Sequence, residues 1–97
     1  MKIIWTDLGV DRVYEIAAYI AKDNSAAAIK WVEKLFKRVE DLSLFEKSSR
    51  KVPETRNPKL REIIFGNYRI VYKIEKDTIY VLTVRHFKQI LPLEELK

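Results

Sequence analysis

The sequence predicts an α+β fold in which a helical hairpin covers one face of a small, mainly antiparallel sheet. In residues 8–42, apolar side chains recur at three- and four-residue spacing, which is typical of amphipathic helices. Residues 60–85 hold short runs rich in β-branched and aromatic residues, separated by two-residue turn signals. With an apolar run at the N-terminus, the expected element order is β-α-α-β-β-β.

Length and composition restrict the class of protein. Ninety-seven residues correspond to one domain, spanning residues 1–97. The 47% hydrophobic and 34% charged content is typical of a compact soluble protein. The chain has no cysteine, which excludes disulfide frameworks and thiolate zinc sites, and we expect neither a metal nor a cofactor. Apolar runs are too short for a membrane span and no signal-peptide pattern is present, so a cytoplasmic protein without membrane contact is expected.

The first half is assigned a strand and two helices. Residues 1–6 (MKIIWT) form the first strand, and Thr6 or Asp7 then caps a helix over residues 8–22. Residues 23–25 (Asp-Asn-Ser) interrupt the apolar stripe and provide the next cap. The second helix starts at Ala26, with an apolar face of Ala28, Trp31, Val32, Leu35, Val39 and Leu42.

The second half is assigned a loop and three strands. Residues 46–59, with two prolines and two serines, indicate a surface loop. Strands follow at 60–65, 68–75 and 78–85, with turns at Gly66-Asn67 and Lys76-Asp77. The tail from residue 87 is expected as a short helix or an extension, since Pro92 disfavours one continuous helix. The sheet face opposite the helices is left for solvent, a nucleic acid or a partner chain.

The net charge of +5 is unevenly distributed. Residues 1–46 hold seven Lys or Arg against eight Asp or Glu, whereas residues 47–97 hold twelve against six. This asymmetry favours a polyanionic or acidic protein partner, although on charge alone a solvated basic surface is the slightly better explanation. The excess is densest at Lys47, Arg50, Lys51, Arg56, Lys59 and Arg61.

Several motifs in a fixed order carry a resemblance to a known family. Trp5 precedes a helix ending in YIAKDNSAAA, and VPE lies in the basic loop. These are followed by the strand segments LREI, NYRIVYKI and IYVLTVRHFKQIL. Over roughly residues 3–91 the chain resembles the RelE/ParE toxins of type II toxin–antitoxin systems, on the ParE-like side. The resemblance implies a matching fold and a cognate antitoxin. It also implies one of two targets: DNA gyrase for ParE-like members, ribosome-bound messenger RNA for RelE-like members.

The resemblance also implies where a nuclease site would lie. Metal-independent RNA cleavage needs groups that deprotonate a 2′-OH, stabilise a phosphorane and protonate the leaving oxygen. Arg69 corresponds to a strand arginine of the nuclease relatives, His86 to a histidine of the YoeB-like ones, and Glu54 to a loop glutamate. Phe87 stands where some nucleases have tyrosine. It can stack on a base but cannot move a proton, so a non-enzymatic activity is favoured and the question is left open.

Counting along the last hairpin predicts which of these residues share a face. If Lys76-Asp77 is a two-residue turn, Arg69 lies opposite Val84 and shares the open face with His86. A loop of odd length would put Arg85 there instead of His86. Two structural alternatives stay open: Arg69 pairs with Glu62 across strands, and the single histidine caps or packs.

These patterns lead to one preferred function and two alternatives. The preferred function is a toxin that arrests growth by inhibiting DNA gyrase or a related topoisomerase and is neutralised by its antitoxin. The alternatives are a ribosome-dependent messenger-RNA endonuclease using Arg69, His86 and Glu54, and a non-toxic nucleic-acid-binding module. The residues expected to bind the target or nucleic acid are Arg50, Lys51, Arg56, Lys59, Arg61, Arg85, Phe87 and Lys88.

Overall fold

The computed structural model describes residues 1–45 and 49–96. It confirms the predicted α+β class and the helical hairpin over a mainly antiparallel sheet. A short additional strand lies inside the segment predicted as loop, of which residues 46–48 fall outside the described part. The elements are β1 (Lys2–Trp5), α1 (Asp7–Ala21), α2 (Ser25–Phe45), β2 (Arg50–Lys51), β3 (Leu60–Phe65), β4 (Tyr68–Glu75), β5 (Thr78–His86) and a C-terminal 3-10 turn (Leu93–Leu96).

Both helices begin at the caps that the sequence predicts. The Thr6 hydroxyl accepts a hydrogen bond from the Gly9 amide at 3.0 Å and donates to the Val81 carbonyl at 2.8 Å. This one side chain therefore caps α1 and fastens it to β5. A Cβ at Gly9 would lie 2.7 Å from the Val81 carbonyl oxygen, so the close approach of α1 to the sheet requires glycine. At α2, Asn24 Oδ1 accepts from the Ala27 amide at 3.0 Å.

The five strands form one sheet in the order β1-β5-β4-β3-β2. β1 runs parallel to β5, whereas every other neighbouring pair is antiparallel. Both predicted two-residue turns are confirmed, because Phe65 pairs with Tyr68 and Glu75 pairs with Thr78. The first turn position has positive φ in each case, at Gly66 and at Lys76.

A β-bulge in β5 changes the register of the last hairpin. Pairing runs from Glu75 as far as Tyr72 opposite Val81, and then resumes with Val71 opposite Thr83. Leu82 is the extra residue, so every β5 residue beyond it is displaced by one position.

Because of this displacement, the pairing predicted for Arg69 is wrong. Arg69 lies opposite Arg85, not Val84, and His86 lies opposite Tyr68. A shift of one residue moves each side chain to the other face of the sheet. The expectation that Arg69 has a basic neighbour is confirmed, and that neighbour is Arg85.

Apolar side chains are buried on both faces of the sheet. The cluster under the helices joins Val13, Leu35, Val39 and Leu42 to strand residues that include Tyr72. The expectation that the opposite face is left for solvent or a partner is wrong, because the loop and the tail cover it. After Pro92 the chain turns back over the sheet, and the second cluster consists of Val52, Leu60, Val71, Leu82, Leu91 and Leu96.

None of the helices in residues 1–45 and 49–96 is long and apolar enough to cross a membrane.

Candidate functional site

Arg69 lies on β4 with its side chain 4% exposed, on the sheet face away from the helices. Its Nε and Nη2 donate to Oε1 of Glu62 at 2.8 and 2.5 Å. Nη1 and Nη2 donate to the two oxygens of Glu54 at 2.6 and 2.7 Å, and Nη1 also donates to the Gln89 carbonyl at 3.2 Å. These five bonds use all five N–H donors of the guanidinium. The structural alternative in which Arg69 pairs with Glu62 is therefore confirmed.

Glu54 comes from the loop before β3 and meets Arg69 in a bidentate pair. Its Oε2 also accepts from the Leu91 amide at 3.0 Å, which ties the loop to the tail. The hydrogen bonds from Arg69 lower the pKa of Glu54 to about 2, although burial alone raises it. A carboxylate with a pKa so far below neutrality is a weak general base.

Glu95 is the centre of a second ionic network on the same face. It accepts from Arg85 through both carboxylate oxygens, from Arg12 Nη2 at 3.0 Å and from the Thr83 hydroxyl at 2.7 Å. Burial raises the pKa of Glu95, but the hydrogen bonds from Arg85, Arg12 and Thr83 outweigh it and lower the value to about 2. The network joins α1, β5 and the 3-10 turn.

The sequence-based reasoning missed Glu95, Arg12 and Thr83. A signal existed for Thr83, which interrupts the apolar run IYVLTV with a hydroxyl. No comparable signal existed for Glu95, which lies 83 positions from Arg12 along the chain.

His86 lies on the other face, apart from Arg69 and Glu54. Its ring stands edge-on to Tyr68 at 5.8 Å between centroids and stacks on Phe87 at 5.1 Å. Nδ1 accepts from the Lys88 amide at 3.2 Å, so the neutral ring carries its hydrogen on Nε2. The structure thus brings two of the three nuclease candidates together and separates the third.

The residues expected to bind a target differ in their contacts and in their exposure. Arg50 and Arg85 are held by internal acids, since Arg50 Nε donates to Glu62 at 2.6 Å and Arg85 is bound to Glu95. Arg61 is half-buried on β3. The exposed members are Arg50, despite its bond to Glu62, and Lys51, Arg56, Lys59, Phe87 and Lys88.

Among residues 1–45 and 49–96 no group of three or more His, Asp or Glu side chains is placed to hold a metal ion.

The fold matches that of solved toxin–antitoxin proteins. A chain of the chromosomal ParDE system from P. aeruginosa superposes with a TM-score of 0.73 at 17% identity, covering 89% of this chain and 95% of that one. A chain of the RelBE2 toxin–antitoxin complex from Mycobacterium tuberculosis gives a TM-score of 0.58 at 17% identity, with 88% and 95% covered. The fold is therefore one found in chains of these two toxin–antitoxin systems.

Sequence similarity then identifies the family. The model of the ParE toxin of the type II toxin–antitoxin system parDE matches residues 3–91. The Sinorhizobium fredii protein "Putative toxin Y4kP" is 36% identical over 93 residues, covering 94% of this chain and 93% of that protein. The chain belongs to the ParE toxin family of type II toxin–antitoxin systems, as the order of its motifs predicts.

Proposed function

We propose that the protein arrests growth by inhibiting DNA gyrase or a related topoisomerase through protein–protein contact. Its membership of the ParE family supports a toxin, and the bonding of Arg69 supports contact over RNA cleavage. Stabilising a phosphorane requires N–H donors aimed at the phosphate oxygens. Arg69 directs all five of its donors at Glu54, Glu62 and the Gln89 carbonyl.

Two further observations support the same choice. Releasing Arg69 for a phosphate would leave the fully buried Glu62 without its Arg69 bonds, which is costly in free energy. The remaining acid–base candidates are a carboxylate with a pKa of about 2 and a histidine on the opposite face of the sheet. Neither the carboxylate nor the histidine is suited to proton transfer beside Arg69.

We further propose that a cognate antitoxin neutralises the protein. The solved structures with the same fold come from a ParDE system and from a RelBE2 toxin–antitoxin complex. The formal net charge of +5 favours an acidic antitoxin, because opposite net charges speed association. An adjacent short open reading frame is the first place to look for it.

The test expresses the protein from an inducible promoter, with and without the product of that reading frame. We expect growth arrest, relaxed reporter plasmids and no codon-spaced messenger-RNA ends, all reversed by the antitoxin. Purified protein should also block supercoiling by gyrase. Codon-spaced cleavage with normal supercoiling would contradict the proposal.

The variant Glu54→Gln distinguishes a nuclease from a contact inhibitor. In a nuclease that uses Glu54 as its base, this change should lower the cleavage rate by a factor of about a hundred or more. In a contact inhibitor it should leave gyrase inhibition unchanged at temperatures below the melting transition of the variant.

A further inference from the structure

A cleft of about 570 Å³ lies between α1 and the carboxyl end of β5, on the helix side of the sheet. Its volume is within the range of ordinary ligand and peptide pockets. The α1–β5 cleft borders the Arg69–Glu54 cluster at Gln89, but neither Arg69 nor Glu54 lines it. The residues that line it include Ile16, Tyr19, Tyr68, Val84, His86 and Lys88.

The floor of the cleft is apolar and pre-formed. Val84 is fully buried, and Ile16 and Tyr68 are half-buried beside it. The Tyr68 ring is held edge-on between Trp31, at 5.3 Å, and His86, at 5.8 Å. A floor whose side chains are already packed loses little conformational entropy on binding. It suits an apolar side chain from a partner.

The wall formed by the end of β5 offers hydrogen-bond donors. His86 is half-buried, and its Nε2–H forms no hydrogen bond within residues 1–45 and 49–96. Lys88 is exposed, and its ammonium lies 5.8 Å from the Phe87 ring centroid. Within residues 1–45 and 49–96 it forms no ion pair with a carboxylate. Both donors suit a carboxylate at the rim.

The α1 wall adds a cation whose exposed contact is exchangeable. Arg12 Nη1 donates at 2.8 Å to Glu15, whose side chain is 60% exposed. Exposed pairs of this kind contribute little stability, so a partner's carboxylate can replace Glu15. Tyr19, 71% exposed on the same helix, extends the wall with a large aromatic side chain. Tyr and Arg are the residue types enriched at the energetic centres of protein interfaces.

We propose that the α1–β5 cleft is the surface that contacts the target protein. It takes a segment in which an apolar anchor is followed by an Asp or Glu. The inference rests on the proposed function, because it assumes that toxicity acts through protein contact, and it names the surface that carries that contact.

The charges in the cleft favour a protein segment over a nucleic acid. Arg12 and Arg85 both bind the buried Glu95, and Glu15 adds a negative charge at the rim. A phosphate backbone is bound by several uncompensated cations at once, whereas one carboxylate can be matched by Lys88 with the His86 donor.

The experiment compares two double variants in binding to the DNA gyrase holoenzyme and in supercoiling assays. Tyr19→Ala/Lys88→Glu removes an exposed aromatic wall residue and reverses the rim charge. We expect binding to weaken, and the half-inhibitory concentration to rise, about thirtyfold or more. The control Tyr14→Ala/Lys30→Glu changes the same residue types at exposed helix positions outside the cleft. This control should bind and inhibit gyrase like the unmodified protein. Both double variants should have the same melting temperature as the unmodified protein.

The outcomes separate this inference from the proposed function. If Tyr19→Ala/Lys88→Glu still binds and inhibits gyrase, the cleft inference is overturned and the proposed function stands. If the unmodified protein does not inhibit gyrase, the proposed function fails. The inference about the cleft is then tested by growth arrest alone. Arrest lost in the cleft variant and kept in the control then supports it, whereas arrest kept in both overturns it. Loss of binding to a DNA or RNA oligonucleotide, with gyrase binding unchanged, also overturns it.

Discussion

At the position of Arg69, one guanidinium joins β4 to β3, to the loop and to the tail. Its partners Glu62 and Glu54 have side chains 0% and 18% exposed, so neither carboxylate has much access to water. The positive charge and the two negative charges therefore depend on one another for solvation. Since the pKa of Arg69 is raised, chiefly by Glu54, the guanidinium stays charged throughout the accessible pH range.

We expect Arg69→Met to lower the free energy of unfolding by about 3–5 kcal/mol, because it leaves Glu54 without its cation and the buried Glu62 with Arg50 alone. Urea denaturation at neutral pH measures the change. Arg56→Met is the control, since Arg56 is exposed in the loop and its replacement should change stability by less than about 0.5 kcal/mol. A loss below about 1 kcal/mol for Arg69→Met would show that the ionic cluster is dispensable.

Glu54 and Glu95 predict how stability depends on pH. Each has a pKa of about 2 in the folded protein, below the ordinary value of 4.5 that applies when the chain is unfolded. The unfolded state therefore binds more protons in this range. The stabilisation is fully present above about pH 4.5 and is lost as the pH falls towards 2. Together the two groups should contribute on the order of a few kcal/mol.

The measurement is the free energy of unfolding from urea titrations between neutral pH and about pH 2. Glu54→Gln and Glu95→Gln should each flatten the curve below pH 4.5 and lower the plateau above it. Glu40→Gln, at an exposed position of α2, should reproduce the unmodified profile. An unmodified profile that stays level between pH 4.5 and 2 would refute the linkage.

At the scale of the elements, the bulge in β5 decides which side chains meet. Leu82 and Thr83 follow each other and yet both serve the face away from the helices. Leu82 packs in the second cluster and Thr83 binds Glu95. Val81 and Val84, three positions apart, both pack under the helices. In an unbroken strand, residues at odd separations point to opposite faces, so the bulge is what aligns Arg85 with Arg69.

The tail is the element that closes the second face of the sheet, and its two leucines provide an internal comparison. Leu96 is 8% exposed and packs in the second cluster, whereas Leu93, in the same 3-10 turn, is 67% exposed. Leu96→Ala should destabilise by about 2 kcal/mol or more, since it leaves a cavity beside Leu91. Leu93→Ala should cost less than about 0.5 kcal/mol. Thermal and urea melts of both variants measure this, and equal effects would mean that the turn is not docked as described.

At the scale of the whole molecule, burial of the sheet on both faces determines which charged side chains are available to a partner. Three strand arginines of the second half bind acids: Arg69 binds Glu54 and Glu62, Arg85 binds Glu95, and Arg50 binds Glu62. In the described residues every buried side-chain nitrogen and oxygen has a hydrogen-bond partner. Because these three arginines are offset by three glutamates, the formal net charge of +5 is carried by the remaining side chains.

Most of the architecture could be predicted from the sequence. The helix boundaries, both caps and both turns follow from local chemistry: apolar spacing, the Thr6 hydroxyl, the Asn24 amide and a two-residue turn after each strand. These signals act between residues close in the chain, and for this reason a single sequence displays them. The order of the motifs also predicted the ParE family, which the family match over residues 3–91 confirms.

The tertiary structure decided the contents of each face. One extra residue at Leu82 reversed the positions of Arg85 and His86, and short-range patterns do not show where a ladder slips. Glu95 reaches Arg12 across 83 positions because the tail folds back over the sheet. Such contacts depend on how the elements pack against one another. The sequence alone therefore determined the elements and the family, and the packing determined that Arg69 is bound internally and that a cleft opens beside His86.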